Sequence, residues 1–383
     1  MPRFLTPKRL RIYPLAALCG VAVGFVLLVA TSTGLDTAFG GRLGGDFPAF
    51  YGAGLTVRMG LGQSLYEPSV QQRVQEALLP HVPGGWIHFA YPPFVALAYV
   101  PFTWLPFKAA YVLHTCLMAA CCAMALWLLR AVLPVVQSHF VSLLGVVLTF
   151  YPLYRAVAGG QNSAISVLCA AGAIAALQAK NDFTAGLWLG LWLFKPQFAI
   201  PVALVACLRS MQALAGFSTV AAIYFLAGAV FFGVGWPRWW IESASAFVIA
   251  DLSVDKGNGI SLADVGTDLG SRSLGWGLAA IVAAVALVTA YRHRRAPAAA
   301  IGLTSAAAPL ISPHALYYDG ALALVALVFP AQAKGTAVLP WLAVVWVLGA
   351  AQWIRGSLFF PPVTVALLVA MVVCFSALFS ARR

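Results

Sequence analysis

The sequence predicts an all-α, polytopic membrane protein, a bundle of about a dozen transmembrane helices. Three observations carry this. Hydrophobic residues make up 62% of the 383 residues and charged residues only 9%, against about 45–50% and about 25% in soluble domains; only lipid can solvate that excess. Apolar runs recur along the whole chain, so one integral membrane domain is expected over residues 1–383. The net charge of +12 is explained by lysines and arginines acting as topology signals, and no nucleic-acid partner is expected.

The first run, 12–31, is long enough to span, and no cleavage motif follows it, so it is expected to persist as a helix. Arg3, Lys8, Arg9 and Arg11 precede it, which places the N-terminus in the cytoplasm. Further spans are expected at 108–130, 139–156, 162–179, 182–195, 196–209, 215–235, 273–291, 297–312, 315–330, 336–353 and 359–380. Several fall short of the roughly 20 residues that a perpendicular helix needs. Arg292-His293-Arg294-Arg295 and the terminal Arg382-Arg383 then also face the cytoplasm. This arrangement gives the cytoplasmic side 13 Lys/Arg and one acid, Asp182, and the outer side ten basic and ten acidic residues.

Phe89–Leu105 is apolar enough to cross, but a crossing there would put Arg130 outside and invert every later loop. Its prolines, Pro92, Pro93, Pro101 and Pro106, suit a regular span poorly. It is read as a re-entrant or interfacial helix on the outer side, where irregular backbone must be lined by protein. Two outer loops result, about 32–107 and about 236–272. Between them they hold nine of the eleven acids: Asp36, Asp46, Glu67, Glu76, Glu242, Asp251, Asp255, Asp264 and Asp268. The second loop is either a cover for a site or a linker. The seven cysteines lie in apolar stretches without CxxC or Cys/His spacing, so neither a metal site nor a disulfide framework is expected.

Polar motifs gather at the outer face in this topology. They are Gly45-Asp46-Phe47 with Tyr51 and Gly54; His88 with Tyr91-Pro92-Pro93; Arg155 with Gly160-Gln161-Asn162; Lys195-Pro196; and Ser312-Pro313-His314 with Tyr318-Asp319. Ionisable groups at membrane depth are costly, so their convergence points to a site. Each has a plainer alternative. Asp46 could cap the helix that follows it. Gln161 and Asn162 could join helices, Lys195 could reach for the interface, and His314 could be a core histidine.

In order and spacing these motifs, with Tyr66 and Phe94, resemble the family 87 glycosyltransferases of the GT-C superfamily over about residues 45–320. The resemblance implies a GT-C-like bundle that uses a polyprenyl-phosphate sugar donor and a glycolipid or cell-envelope glycan acceptor. The family includes mannosyl- and arabinofuranosyltransferases, so mannose is the first expectation and arabinofuranose the second. Its catalytic acid lies in the first outer loop, and the matching residue is Asp46. Asp46 is then the expected base for the acceptor hydroxyl, with inversion at the anomeric carbon. Lys195, His314, Gln161, Asn162 and Arg155 are expected to hold the donor phosphate and sugar, and Tyr51, His88, Tyr91 and Asp319 to line the groove. The expected setting is the cell membrane, with both termini cytoplasmic and the site facing the periplasmic or outer side. No cofactor is assigned; a divalent metal stays an open alternative, and the lack of an acidic neighbour at Asp46 counts against one bound tightly. A lipid-linked sugar flippase or other transporter is the competing class; the lack of internal repeats and the crowding of motifs at one face count against it.

Overall fold

The computed structural model describes residues 7–33, 37, 41–78, 86–254, 257–358 and 360–380. Arg3, Asp36, Asp255, Arg382 and Arg383 lie outside them. The described chain is helical throughout. The helices are α1 (Pro7–Thr31), α2 (Phe47–Arg58), α3 (Pro68–Leu78), α4 (Pro93–Tyr99), α5 (Phe107–Leu129), α6 (Val135–Thr149), α7 (Tyr151–Ala158), α8 (Ser163–Gln178), α9 (Asp182–Leu191) and α10 (Pro196–Arg209). They continue as α11 (Met211–Phe232), α12 (Trp236–Val254), α13 (Leu262–Asp268), α14 (Arg272–Arg292), α15 (Pro297–Ile311), α16 (Ala323–Ala326), α17 (Val328–Lys334), α18 (Leu339–Ala351) and α19 (Pro362–Ser380). The chain is membrane-integral: among the described residues, 6 stretches are long and apolar enough to cross a bilayer, or up to 7 if one bent pair counts as a span.

The dozen expected spans map onto these stretches unevenly. Residues 12–31, 108–130, 215–235, 273–291 and 359–380 coincide with long helices. The expected straight span 139–156 is instead α6 and α7 bent by 78°. Phe150 between them is extended, at φ −63° and ψ 115°. Pro152 follows two residues later; a proline cannot continue the preceding helix but suits the first turn of a new one. Residues 317–357 form one apolar run, interrupted at Gly335, whose φ is +54°. The expected spans at 162–179, 182–195, 196–209 and 297–312 are apolar helices of 10–17 residues.

The short helices still run from one end of the bundle to the other. At one end Asp182, which opens α9, pairs with Arg209, which closes α10, at 2.7 Å. Arg209 also donates to the Arg294 carbonyl at 3.0 Å, so the basic cluster after α14 is gathered there. At the opposite end lie the start of α8, the α9–α10 junction at Lys195 and the exit of α15. Helices α8, α10 and α15 have 16, 14 and 15 residues, or about 21–24 Å, against a hydrocarbon core of about 30 Å. They are therefore too short to match their longer neighbours end to end. Helix α5 measures the offset: Tyr111 donates to the Ala158 carbonyl at 2.5 Å and Thr115 to Val157 at 3.5 Å. The turn after α7 thus sits one to two turns into α5.

The Phe89–Leu105 segment holds one short helical stretch. Pro93–Trp104 is helical, too short to cross, and α2 packs on it. A Cβ at Gly54 would stand 2.7 Å from the Tyr99 carbonyl carbon. The backbone that leaves the segment is satisfied by protein: Tyr51 donates to the Leu105 carbonyl at 3.0 Å, and Arg58 donates to that of Thr103. The segment expected as the second outer loop is folded where it is described. It forms α12, then a bridge that pairs Gly259 with Leu316, then α13.

Candidate functional site

Two glycine pairs interlock at the end of the bundle where α8 starts. Gly45 and Gly160 adopt φ of +53° and +73°, the left-handed region that glycine tolerates best. Asp46 N–H donates to the Gly159 carbonyl at 2.8 Å. A Cβ on Gly45 would lie 2.6 Å from the Gly159 oxygen, and one on Gly160 would lie 2.4 Å from the Gly44 oxygen. The loop before α2 and the turn before α8 are therefore pressed together backbone on backbone.

That contact sets Asp46 beside Gln161. Asp46 stands at the N-cap position of α2, yet its side chain makes no capping bond. Its Oδ2 instead accepts from Gln161 Nε2 at 2.6 Å. The same amide nitrogen donates to Tyr318 Oη at 2.9 Å, and Gln161 Oε1 accepts from Tyr91 at 3.0 Å. The carboxylate can only accept, so it fixes which end of the amide faces it. Asn162 is 3.4 Å from the same Tyr91 hydroxyl and buried. Gln161 thus joins residues from four of the polar motifs.

A second group lies behind Tyr318. Lys195 is 3% exposed, and its Nζ is 2.5 Å from Asp319 Oδ1 and 3.2 Å from Ser163 Oγ. Ser163 donates to the same Asp319 oxygen at 2.6 Å. The ammonium lies 5.4 Å from the Tyr318 ring centre and 5.6 Å from that of Phe198. Lys195 does not reach for the interface; its charge is matched by a buried carboxylate.

The family model of glycosyltransferase family 87 matches residues 89–313, more than half of the chain. The chain belongs to that family. Membership assigns it a glycosyltransferase activity. No curated protein and no solved structure matches it. The matched stretch holds Tyr91, Gln161, Asn162 and Lys195, and the Gln161 amide links it to Asp46, which precedes it.

The remaining expected residues of this family member are placed around that centre or away from it. Arg155 on α7 is exposed, and its Nε donates to Tyr317 Oη at 3.2 Å. His88 bonds Ser243 on α12 at 2.9 Å and stacks on Phe247 at 5.6 Å; burial lowers its pKa. His314 meets the edge of the same Phe247 ring at 5.9 Å. It stands at ion-pair distance from Asp251 (2.8 Å) and Asp264 (3.3 Å). Burial alone would lower its pKa, but the two carboxylates outweigh it and push the imidazole up to about 9. Tyr51 is not brought to Asp46's carboxylate; it packs on Phe47 and Phe107 with its hydroxyl turned to Leu105. Among the described residues, no group of three or more His, Cys, Asp or Glu side chains is placed to hold a metal ion.

Two supports escaped the sequence reading. Gln71 and Gln75, one turn apart on α3, hold the extended segment that carries His88 and Tyr91. Gln75 exchanges two hydrogen bonds with Ile87, at 2.7 and 2.8 Å. Gln71 accepts from Phe89 N–H at 2.7 Å and donates to the Leu65 carbonyl at 2.9 Å. Tyr66 donates to the Tyr91 carbonyl at 2.8 Å, and Trp240 to that of Ala90 at 3.0 Å. The available signal was a pair of glutamines at i, i+4 on an amphipathic helix, a spacing that places both on one face. Arg42 is a further omission: it is half-buried in the loop before α2, with Asp46 as a nearby opposite charge.

Proposed function

We propose that the protein transfers a sugar from a polyprenyl-phosphate donor to a glycolipid or cell-envelope glycan at the outer face of the cell membrane, with inversion. Mannose is the preferred sugar, on the family resemblance, and arabinofuranose the alternative. The observation that carries the reading is the Asp46 carboxylate, turned away from its own helix and held by the Gln161 amide among Tyr91 and Tyr318. In the reaction Asp46 takes the acceptor's hydroxyl proton. The acceptor oxygen bonds the anomeric carbon as the bond from that carbon to the phosphate oxygen breaks. Polyprenyl phosphate departs as an anion and needs no general acid, only positive charge to receive it. Arg155 and His314 offer that charge at the rim, and Lys195, balanced by Asp319, offers it from below. Gln161 and Asn162 supply amides for sugar hydroxyls, and His88 and Tyr91 line the approach. Both termini then lie in the cytoplasm, in keeping with the gathering of Arg209 and Arg294 at the far end.

The test is transfer of label from polyprenyl-phosphate mannose, and in parallel from the arabinofuranose donor, by purified protein in liposomes. Wild type is expected to transfer one of them and a folded Asp46→Ala variant neither. Label that crosses an acceptor-free bilayer without transfer would support the flippase reading instead.

A further inference from the structure

His314 is held by two carboxylates, and the two are not equivalent. Asp264 is built into the scaffold. It lies on α13, 4% exposed, and its N–H donates to Ser261 Oγ at 3.0 Å. Gly259 leaves room for it: a Cβ there would stand 2.7 Å from Asp264 Cβ. The chain just before α13 is tied down by Ile260, whose N–H donates to Ala315 at 2.8 Å and whose carbonyl accepts from Thr364 at 3.0 Å. Asp251 instead comes from α12, an amphipathic helix with Ile241 55% and Ile249 74% exposed. That helix meets the site through Trp240, Ser243, Phe247 and Asp251, residues spaced three to four apart, which is one helical face.

The contact at His314 is also imperfect. Both ring nitrogens, Asp251 Oδ2 and Asp264 Oδ1 are buried, and none has a hydrogen bond of good geometry. Buried polar atoms left in this way call for an explanation. Of the charged groups facing this imidazole, Asp251 comes from α12 and Asp264 from α13, while Arg272 of α14 bonds the neighbouring Pro313 carbonyl at 3.4 Å. An imidazolium between two carboxylates carries a net charge of −1, which repels a phosphate.

We propose that Asp251 occupies the anion position at His314 Nε2 in the free enzyme and that the donor phosphate displaces it, while Asp264 stays as the positioning residue for the ring. Helix α12 is thereby a latch that the donor opens. The inference rests on the reading of His314 as a phosphate ligand.

The test uses the full chain in lipid nanodiscs and reads hydrogen exchange over residues 236–254. With polyprenyl monophosphate added, exchange in wild type is expected to rise. Asp251→Asn should show that rise without the lipid, and Asp251→Glu should restore slow exchange. If the closed state is populated about nine-tenths of the time, Asp251→Asn lowers the donor KM about tenfold at pH 6, whereas Asp264→Asn raises it and moves the alkaline limb of the pH profile downward. Bound lipid with unchanged α12 exchange in wild type, or a donor KM that rises in Asp251→Asn as in Asp264→Asn, would overturn the latch. Failure of the lipid to bind would overturn the phosphate reading and the displacement with it. Even then, the donor-free comparison of Asp251→Asn with wild type shows whether Asp251 holds α12.

Discussion

Lys195→Met is the sharpest probe of the buried pair. It removes an ammonium 2.5 Å from Asp319 Oδ1, where the two side chains are 3% and 7% exposed. Asp319 keeps the Ser163 hydroxyl at 2.6 Å but loses this counter-charge. Removing one member of such a pair costs about 3–5 kcal/mol, because the other charge is left in a medium that solvates it poorly. Unfolding entropy of about 2.1 cal/mol/K per residue turns that into a fall in Tm of about 4–6 °C for a chain of 383 residues. Helices that stay formed in detergent lower the entropy and enlarge the shift. Asp319→Leu should cost a similar amount, since it strands the lysine. The double variant should recover about 0.5–3 kcal/mol relative to the sum, the usual range for groups in contact. Thermal unfolding and sugar transfer, measured on the same four proteins, separate stability from chemistry. A double variant that regains stability yet transfers nothing would show that the Lys195–Asp319 pair serves the reaction. Single variants within about 1 °C of wild type, or strictly additive costs, would refute the buried-pair argument.

Asp46→Asn should fold, with Tm close to wild type, because an asparagine oxygen can still accept from Gln161; transfer should fall about 10²–10⁴-fold if Asp46 is the base. Gly160→Ala places a Cβ 2.4 Å from the Gly44 oxygen at φ +73°, and the left-handed backbone alone costs about 1–2 kcal/mol; a lower Tm is expected, with transfer per folded molecule also reduced because Asp46 shifts with the turn. Gln161→Leu removes the 2.6 Å donor to Asp46, and should lower kcat more than it raises the donor KM. The folded pKa of His314, about 9, lies above its ordinary value of 6.5. Its carboxylates therefore stabilise the fold fully below about pH 6.5, and the effect fades as pH rises through about 9. Wild-type Tm should drop over that window, and His314→Gln should abolish the drop.

The bundle was legible because composition and charge are summed over many residues, whereas the site depends on single pairs far apart in the chain. Asp46 alone reads as an N-cap, but its carboxylate is bound by Gln161, 115 residues later. Lys195 alone reads as an interface lysine, and its partner Asp319 lies 124 residues on. Gln71 and Gln75 look like a solvated helix face until the 87–89 backbone is laid against them. Pro152 fits a break near Phe150, but no local signal gives the 78° angle between α6 and α7. One non-local feature did leave a local trace. Gly44-Gly45 and Gly159-Gly160 are doublets just before Asp46 and Gln161, and each pair makes the space that the other backbone fills. Asp46 therefore takes its position from the α7–α8 turn as much as from its own loop. A substitution at Gly159 or Gly160 should disturb Asp46 more than an equally large change at the exposed end of α2, where Met59 is 58% exposed.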